Sequence, residues 1–251
     1  MRVLASKLVA GLLLTLSGAF CGASETTPLV FESGEAKVPL VELYTSEGCS
    51  SCPPAESWFS SLTNNPELWK KFVPVSFHVD YWNSLGWPDP YSSEEFTARQ
   101  RYYGEVWQSG IYTPEFVLDG REWRPFEGNF AQTGKIVGNL KGIVTLDGKL
   151  EIIFVPRFKP IGAMVAEVAL LGTGIQTAVH RGENAGKTLK HDFLTLSLLK
   201  CSLEPSPAGE YRGYLTLPER TLPHAAAIAV WVRRSDAIAP SQAAGCWLKR
   251  N

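Results

Sequence analysis

The sequence predicts an α/β domain followed by a β-rich, sandwich-like domain, and three observations predict it. Strand-like and helix-like stretches alternate from Val38 to about residue 141. A Cys-x-x-Cys motif, Cys49-Ser50-Ser51-Cys52, stands between the first strand and the first helix of that stretch. Beyond residue 142 short strand-like runs follow one another, separated by glycine and proline. The expected organisation is an export signal over residues 1–23, an α/β domain over 38–141 and a β-rich domain over 142–251.

The N-terminal residues set the expected compartment. Arg2 and Lys7 precede the apolar run Leu8 to Leu16, and small residues follow at Ser17-Gly18-Ala19 and Cys21-Gly22-Ala23. This is the pattern of a cleaved secretory signal, too short to span a bilayer comfortably. The sequence therefore predicts a secreted or periplasmic protein, not an integral membrane protein. The 251 residues carry 24 Lys and Arg against 25 Asp and Glu, a formal charge of -1. The basic residues are scattered, which argues against a nucleic-acid partner. A hydrophobic content of 45 % argues against disorder.

Val38 to Tyr44 reads as a buried strand and Thr45-Ser46-Glu47-Gly48 as a turn into the cysteines. A helix is expected from Pro53 to about Leu62, since prolines suit a first turn whose N–H groups have no intrahelical partner. Phe72 to Asp80 reads as a second strand. Ser92-Ser93-Glu94-Glu95 reads as a capping box, opening a helix with Phe96, Gln100, Tyr103 and Trp107 on one face. Glu115 to Leu118 reads as a strand closed by Asp119-Gly120. In the second half, Asp147-Gly148 predicts a hairpin between Ile143–Leu146 and Lys149–Val155. Ala163 to Leu171, Lys190 to Leu203, Tyr211 to Leu217 and Ala225 to Arg233 complete the predicted strands.

A cysteine at a helix start meets unpaired N–H groups and the positive end of the helix dipole, which favour a thiolate. Cys49 is thus the expected exposed nucleophile and Cys52 the resolving thiol. A static disulfide is the plainer reading of the same pair. Half of a zinc site is disfavoured, because no second ligand pair of the kind zinc uses occurs elsewhere.

Several segments resemble a bacterial secreted family known only as a domain of unknown function. They are VELYTSEGCSSCPPAE from Val41 to Glu56, His78-Val79-Asp80-Tyr81-Trp82, Leu85-Gly86-Trp87-Pro88-Asp89, Arg99 to Tyr103, Tyr112-Thr113-Pro114 and Gly182 to Lys187. The resemblance implies a thioredoxin-like fold for the first domain, with an appended β-rich region. It also implies a cis Thr113–Pro114 bond facing the cysteines, with Thr113 placed to pair with substrate backbone. It supplies no substrate. Ordinary thioredoxins place a buried acid six residues before the first cysteine; here that position is Leu43. Glu42 is adjacent but points to the opposite strand face. His78 and Asp80 share one face of the next strand. Either is a candidate base or supporting group; His78 reads first as a hydrogen-bonded core histidine, and Asp80 reads equally as a cap on the strand end.

The aromatic residues from Tyr81 to Trp107 are expected in the core at Tyr103 and Trp107, and at a rim at Trp87. Gly182-Glu183-Asn184-Ala185-Gly186-Lys187-Thr188 has three residues between its glycines where a phosphate loop needs four. It reads as a tight loop packed against the first domain.

The expected function is thiol–disulfide exchange by Cys49 and Cys52, supported by Pro114, Thr113, Asp80, His78 and Glu42. No organic cofactor or bound metal is expected, and the partners are protein or small-molecule thiols and disulfides. Two alternatives stay open: a soft-metal site such as copper on the cysteine pair with His78, and an interaction module stapled by its disulfide. Cys201 and Cys246 are expected to form a second, structural disulfide, since an exported chain keeps an even number of cysteines.

Overall fold

The computed structural model describes residues 27–125 and 134–248. The expected signal segment lies outside the described residues. The elements run β1 (Leu29–Glu32), β2 (Leu40–Thr45), α1 (Pro53–Ser61), β3 (Val73–His78), α2 (Glu94–Trp107), β4 (Glu115–Leu118), β5 (Arg121–Trp123), β6 (Gly138–Val144) and β7 (Lys149–Pro156). They continue with β8 (Met164–Gly172), β9 (Ile175–Ala178), β10 (Thr188–His191), β11 (Leu194–Pro205), β12 (Tyr211–Thr216), β13 (Ala227–Arg234) and β14 (Gln242–Trp247).

Most single elements follow the local chemistry. Prolines open α1 at its first two positions. Ser93 caps α2, its hydroxyl accepting from the Glu95 N–H at 3.1 Å. Gly148, at φ +75°, closes the β6–β7 hairpin, in which Val144 faces Leu150.

The assembly differs from the expectation. One 12-stranded mixed sheet, with two α-helices among the described residues, replaces an α/β thioredoxin-like domain followed by a sandwich. The reason lies in β8 and β13. Each has a long run buried on both faces, as strands do when both sides are covered. Ala169, Leu171, Ala227, Ala229 and Trp231 point into a core shared with α1, α2, β2, β3 and β4. Their neighbours Val168, Leu170, Ile228, Val230 and Val232 point into a second core under β6, β7 and β12. A layer common to both cores cannot be one wall of a free-standing sandwich. The long strand β11 joins the regions: it pairs antiparallel with β8 and β12, and parallel with β3 where Leu194 meets Ser76.

Cys201 and Cys246 are free thiols, against the expected disulfide. Cys201 lies opposite Ala166 on β8, and Cys246 opposite Ile228 on β13. The local strand order β14–β13–β8–β11 sets two strands between them. At about 4.8 Å per strand they stand roughly 14 Å apart before any offset along the strands. A disulfide needs a Cα separation below about 7 Å. Both pack instead against the second core as small apolar side chains.

Candidate functional site

Strand β2 lies parallel to β3 and antiparallel to β4, so the ends of β2 and β3 and the start of β4 meet at one margin of the sheet. The turn after β2 carries the cysteines. Cys49 and Cys52 are joined in a disulfide, and Cys52 is the N-cap residue of α1. Gly48 is required here: a Cβ on it would lie 2.9 Å from Trp82 Cβ. Trp82 in turn donates its indole N–H to Thr113 Oγ1 at 2.8 Å, tying the cysteine loop to the cis Thr113–Pro114 bond.

Both cysteines are 0 % exposed, so Cys49 is covered rather than open. The cover comes from the far half of the chain. Asn184 is fully buried and its amide donates to the carbonyls of Glu47 and Cys49, each at 2.9 Å. The neighbouring Glu183 carboxylate accepts the Ser50 N–H at 3.1 Å. Ser51 Oγ lies 3.4 Å from Cys49 Sγ and lines a cleft of about 420 Å³ with Pro54, Trp58, Tyr112, Pro114 and Trp123. The cleft walls are mainly apolar, and Cys49 lies behind Ser51 rather than lining the cleft itself.

Below the disulfide is a buried histidine–carboxylate cluster. Glu56 sits one helical turn after Cys52, its N–H bonded to the Cys52 carbonyl at 3.1 Å. His191, delivered by β10, contacts Glu56 Oε2 through Nδ1 at 2.9 Å and Glu47 Oε1 through Nε2 at 3.0 Å. Burial alone would lower the His191 pKa, but the two carboxylates push it up to about 9. Burial likewise opposes ionisation of Glu56, yet its bond to His191 holds it below the usual range. His78 bonds Asp89 Oδ2 through Nδ1 at 2.7 Å, and the rings of His78 and His191 meet edge to face at 4.8 Å. Asp89 also accepts the Glu47 N–H at 2.8 Å, and Trp87 donates to Glu47 Oε2 at 2.7 Å. One ligand atom from each of Glu56, His78 and His191 lies within 4.8 Å of the others.

The sequence-predicted residues divide. Cys49, Cys52, Pro114 and, through Trp82, Thr113 converge on the disulfide margin, and His78 joins the cluster. Asp80 does not: its carboxylate accepts the Thr97 hydroxyl at 2.6 Å, fastening the end of β3 to α2. Glu42 points the other way, to Arg99 and Tyr103. With the two sulfurs bonded to each other, neither is a thiolate, so this form of the pair offers no soft-metal site. Sequence reasoning missed Glu47, Glu56, Asp89, Asn184 and His191. Glu56 carried a local signal in its spacing, four residues and so one helical turn after Cys52; its burial is not visible in the sequence. Asn184 stood in a recognised segment, but nothing local says that its amide reaches the cysteines.

An oxidised cysteine pair at a helix start, carried on a mixed sheet, defines a broad class. Within it, the chain belongs to the family described as protein of unknown function (DUF1223), which matches residues 40–233. No curated protein matches the sequence. Two solved structures are similar. A crystal structure of an Agrobacterium tumefaciens protein has 24 % identity and a TM-score of 0.63, over 87 % of this chain and 97 % of that one. HBP35 of Porphyromonas gingivalis has 13 % identity and a TM-score of 0.54, over 85 % of this chain and 76 % of that one. Among the described residues no helix is long and apolar enough to cross a membrane.

Proposed function

We propose that the protein is an exported thiol–disulfide oxidoreductase, working in the periplasm or outside the cell through Cys49 and Cys52. The observation that carries the reading is the disulfide at the N-cap of α1, beside an apolar cleft. A helix start stabilises a leaving thiolate, which makes such a bond easier to exchange than one inside a strand. A substrate thiolate attacks Cys49 Sγ, the Cys49–Cys52 bond breaks, and Cys52 leaves as a thiolate that takes up a proton. A second substrate thiolate then attacks the substrate sulfur of the mixed disulfide and releases Cys49. The substrate is oxidised by two electrons and the pair becomes two thiols; the reverse sequence reduces a substrate disulfide. Cys49 is the sulfur assigned to attack because Ser51 connects it to the cleft.

Equilibration with glutathione buffers, read by alkylation and mass, tests this. The expected midpoint lies between about -270 and -120 mV, where exchange proteins operate. A potential below about -300 mV would make the bond a staple and remove the proposal.

A further inference from the structure

We propose that Glu56, His78 and His191 form a site for one divalent transition-metal ion of the zinc class, next to the cysteine pair and independent of its sulfurs. Three observations converge. The first is an orphan: His78 is 1 % exposed, and its Nε2 has no hydrogen-bond partner. A buried ring nitrogen without a partner costs free energy unless something occupies it.

The second is the outer arrangement. Each histidine is held by a carboxylate on its far nitrogen, Asp89 on His78 Nδ1 and Glu47 on His191 Nε2. This leaves His78 Nε2, which has no partner, and His191 Nδ1, which already meets Glu56, as the ring positions not held by Asp89 or Glu47. Carboxylates in that relation orient metal-bound imidazoles and raise their basicity. Asp89 is itself fixed by the N–H groups of Glu47 and Tyr91, and Glu56 by the Thr45 hydroxyl at 2.5 Å.

The third is charge. Glu47, Glu56 and Asp89 are buried together with two imidazoles. With both imidazoles neutral three negative charges are left over, and one divalent ion reduces them to one. A divalent ion that displaces the proton between His191 Nδ1 and Glu56 Oε2 supplies positive charge where those ligands converge. Those two atoms stand 2.9 Å apart. Neighbouring ligands on a tetrahedral ion with bonds of about 2.0–2.1 Å are roughly 3.4 Å apart, so the pair opens slightly and His78 closes in. Two imidazoles and a carboxylate suit zinc or a related first-row ion, and leave one tetrahedral position open.

The test uses the full chain with its disulfide intact, so the sulfurs cannot ligate. Titration with Co²⁺, followed by visible d–d absorption and by competition with Zn²⁺, should show one equivalent bound. The variant Cys49→Ser/Cys52→Ser should bind equally. His78→Ala should weaken binding at least about 100-fold, and Asp89→Asn, which keeps all three ligands, about 10- to 100-fold. If His78→Ala does not fold, Asp89→Asn and the rise in wild-type melting temperature with Zn²⁺ carry the test. The site is overturned if the oxidised wild type binds no Co²⁺, if Zn²⁺ leaves its melting temperature unchanged, if binding requires reduced cysteines, or if folded His78→Ala or Asp89→Asn binds as tightly as wild type.

Discussion

Strand β2 and the turn after it send carboxylates into two buried polar clusters, and the clusters are built on opposite principles. On one side Glu42 meets Arg99. The guanidinium donates to Glu42 Oε2 at 2.8 Å and to Glu167 Oε2 at 2.7 Å. Tyr44 and Tyr103 donate to Glu42, at 2.8 and 2.6 Å, and Trp231 and Arg233 donate to Glu167, at 2.6 and 2.7 Å. Two carboxylates face two guanidiniums, and each carboxylate has several donors. Burial opposes ionisation of Glu167, yet Arg99 and Arg233 pull its pKa to about 2. On the other side, Glu47, Glu56 and Asp89 share two imidazoles, and one ring nitrogen stays unpaired. The balanced cluster binds β2, α2, β8 and β13 into one body. The unbalanced one adjoins the Cys49–Cys52 disulfide. Uncompensated charge and an unmet lone pair, rather than burial of polar groups as such, separate the cluster we propose as a metal site from the one that holds the fold.

The largest expected effect breaks the balanced cluster. Arg99→Met leaves two buried carboxylates without their shared cation and should cost about 3–5 kcal/mol of stability in urea unfolding. The glutathione midpoint of the folded variant should not move, because Arg99 serves the Glu42 side. A loss below about 1 kcal/mol, or a shifted midpoint, would mean that the two clusters are not distinct in role.

Next in size is Glu115, which follows Pro114 and lies opposite Tyr44 in the β2–β4 pair. It is 2 % exposed. Burial raises its pKa to about 7, against the opposing bond from Gln100 Nε2 at 2.5 Å. The folded protein then holds a proton that the unfolded chain releases above about pH 4.5. Stability therefore falls as pH rises from about 4.5 to about 7, and the full penalty persists above that. The shift corresponds to about 3 kcal/mol at most. Glu115→Gln should gain most of that at pH about 8 and little at pH about 5, read by urea unfolding at both. An equal effect at the two values would show that the carboxyl is not the titrating group.

The legible and illegible parts of the molecule divide by range. Ser93 at the head of α2, the prolines of α1 and Asp147-Gly148 act within a few residues, and the sequence shows them directly. The Cys49–Cys52 pair was legible for the same reason, whereas the cis Thr113–Pro114 bond was expected only through the family resemblance. The continuous sheet was not legible, although β8 and β13 carried its trace. AIAVWV, and MVAEVALLG apart from Glu167, are apolar at consecutive positions, which fits strands covered on both faces, whereas a sandwich strand alternates. His191 and Asn184 reach the cysteine loop from more than 130 residues away in sequence. Neither sits in a spacing that predicts a partner. Cys201 and Cys246 misled for the converse reason: cysteine arithmetic has no knowledge of the two strands that stand between them.

The smallest expected effect concerns the cover on the disulfide, and it sharpens the contrast most directly. Asn184 belongs to neither cluster, yet it is fully buried and both hydrogens of its amide are used, on the carbonyls of Glu47 and Cys49. The loop that carries it is pinned from above, where Gly182, at φ +75°, passes 3.2 Å from Trp87 Cβ measured from an added Cβ. Asn184→Ala removes those two hydrogen bonds and the one that Asn184 Oδ1 accepts from Lys187 Nζ at 2.9 Å; the carbonyl oxygens lose their amide donor, although that of Cys49 still accepts the Cys52 N–H at 3.3 Å. Water can reach them if the loop lifts, so the cost should be about 1–2 kcal/mol, well short of that of Arg99→Met. The informative readout is kinetic. Reduction of the disulfide by dithiothreitol requires access to a sulfur that is now 0 % exposed. If the loop at residues 182–187 is what denies access, the variant should be reduced several-fold faster under native conditions, with a midpoint potential close to that of the wild type. An unchanged rate would show that access is controlled elsewhere, and a faster rate with a large shift in potential would mean that Asn184 stabilises one redox form rather than covering both.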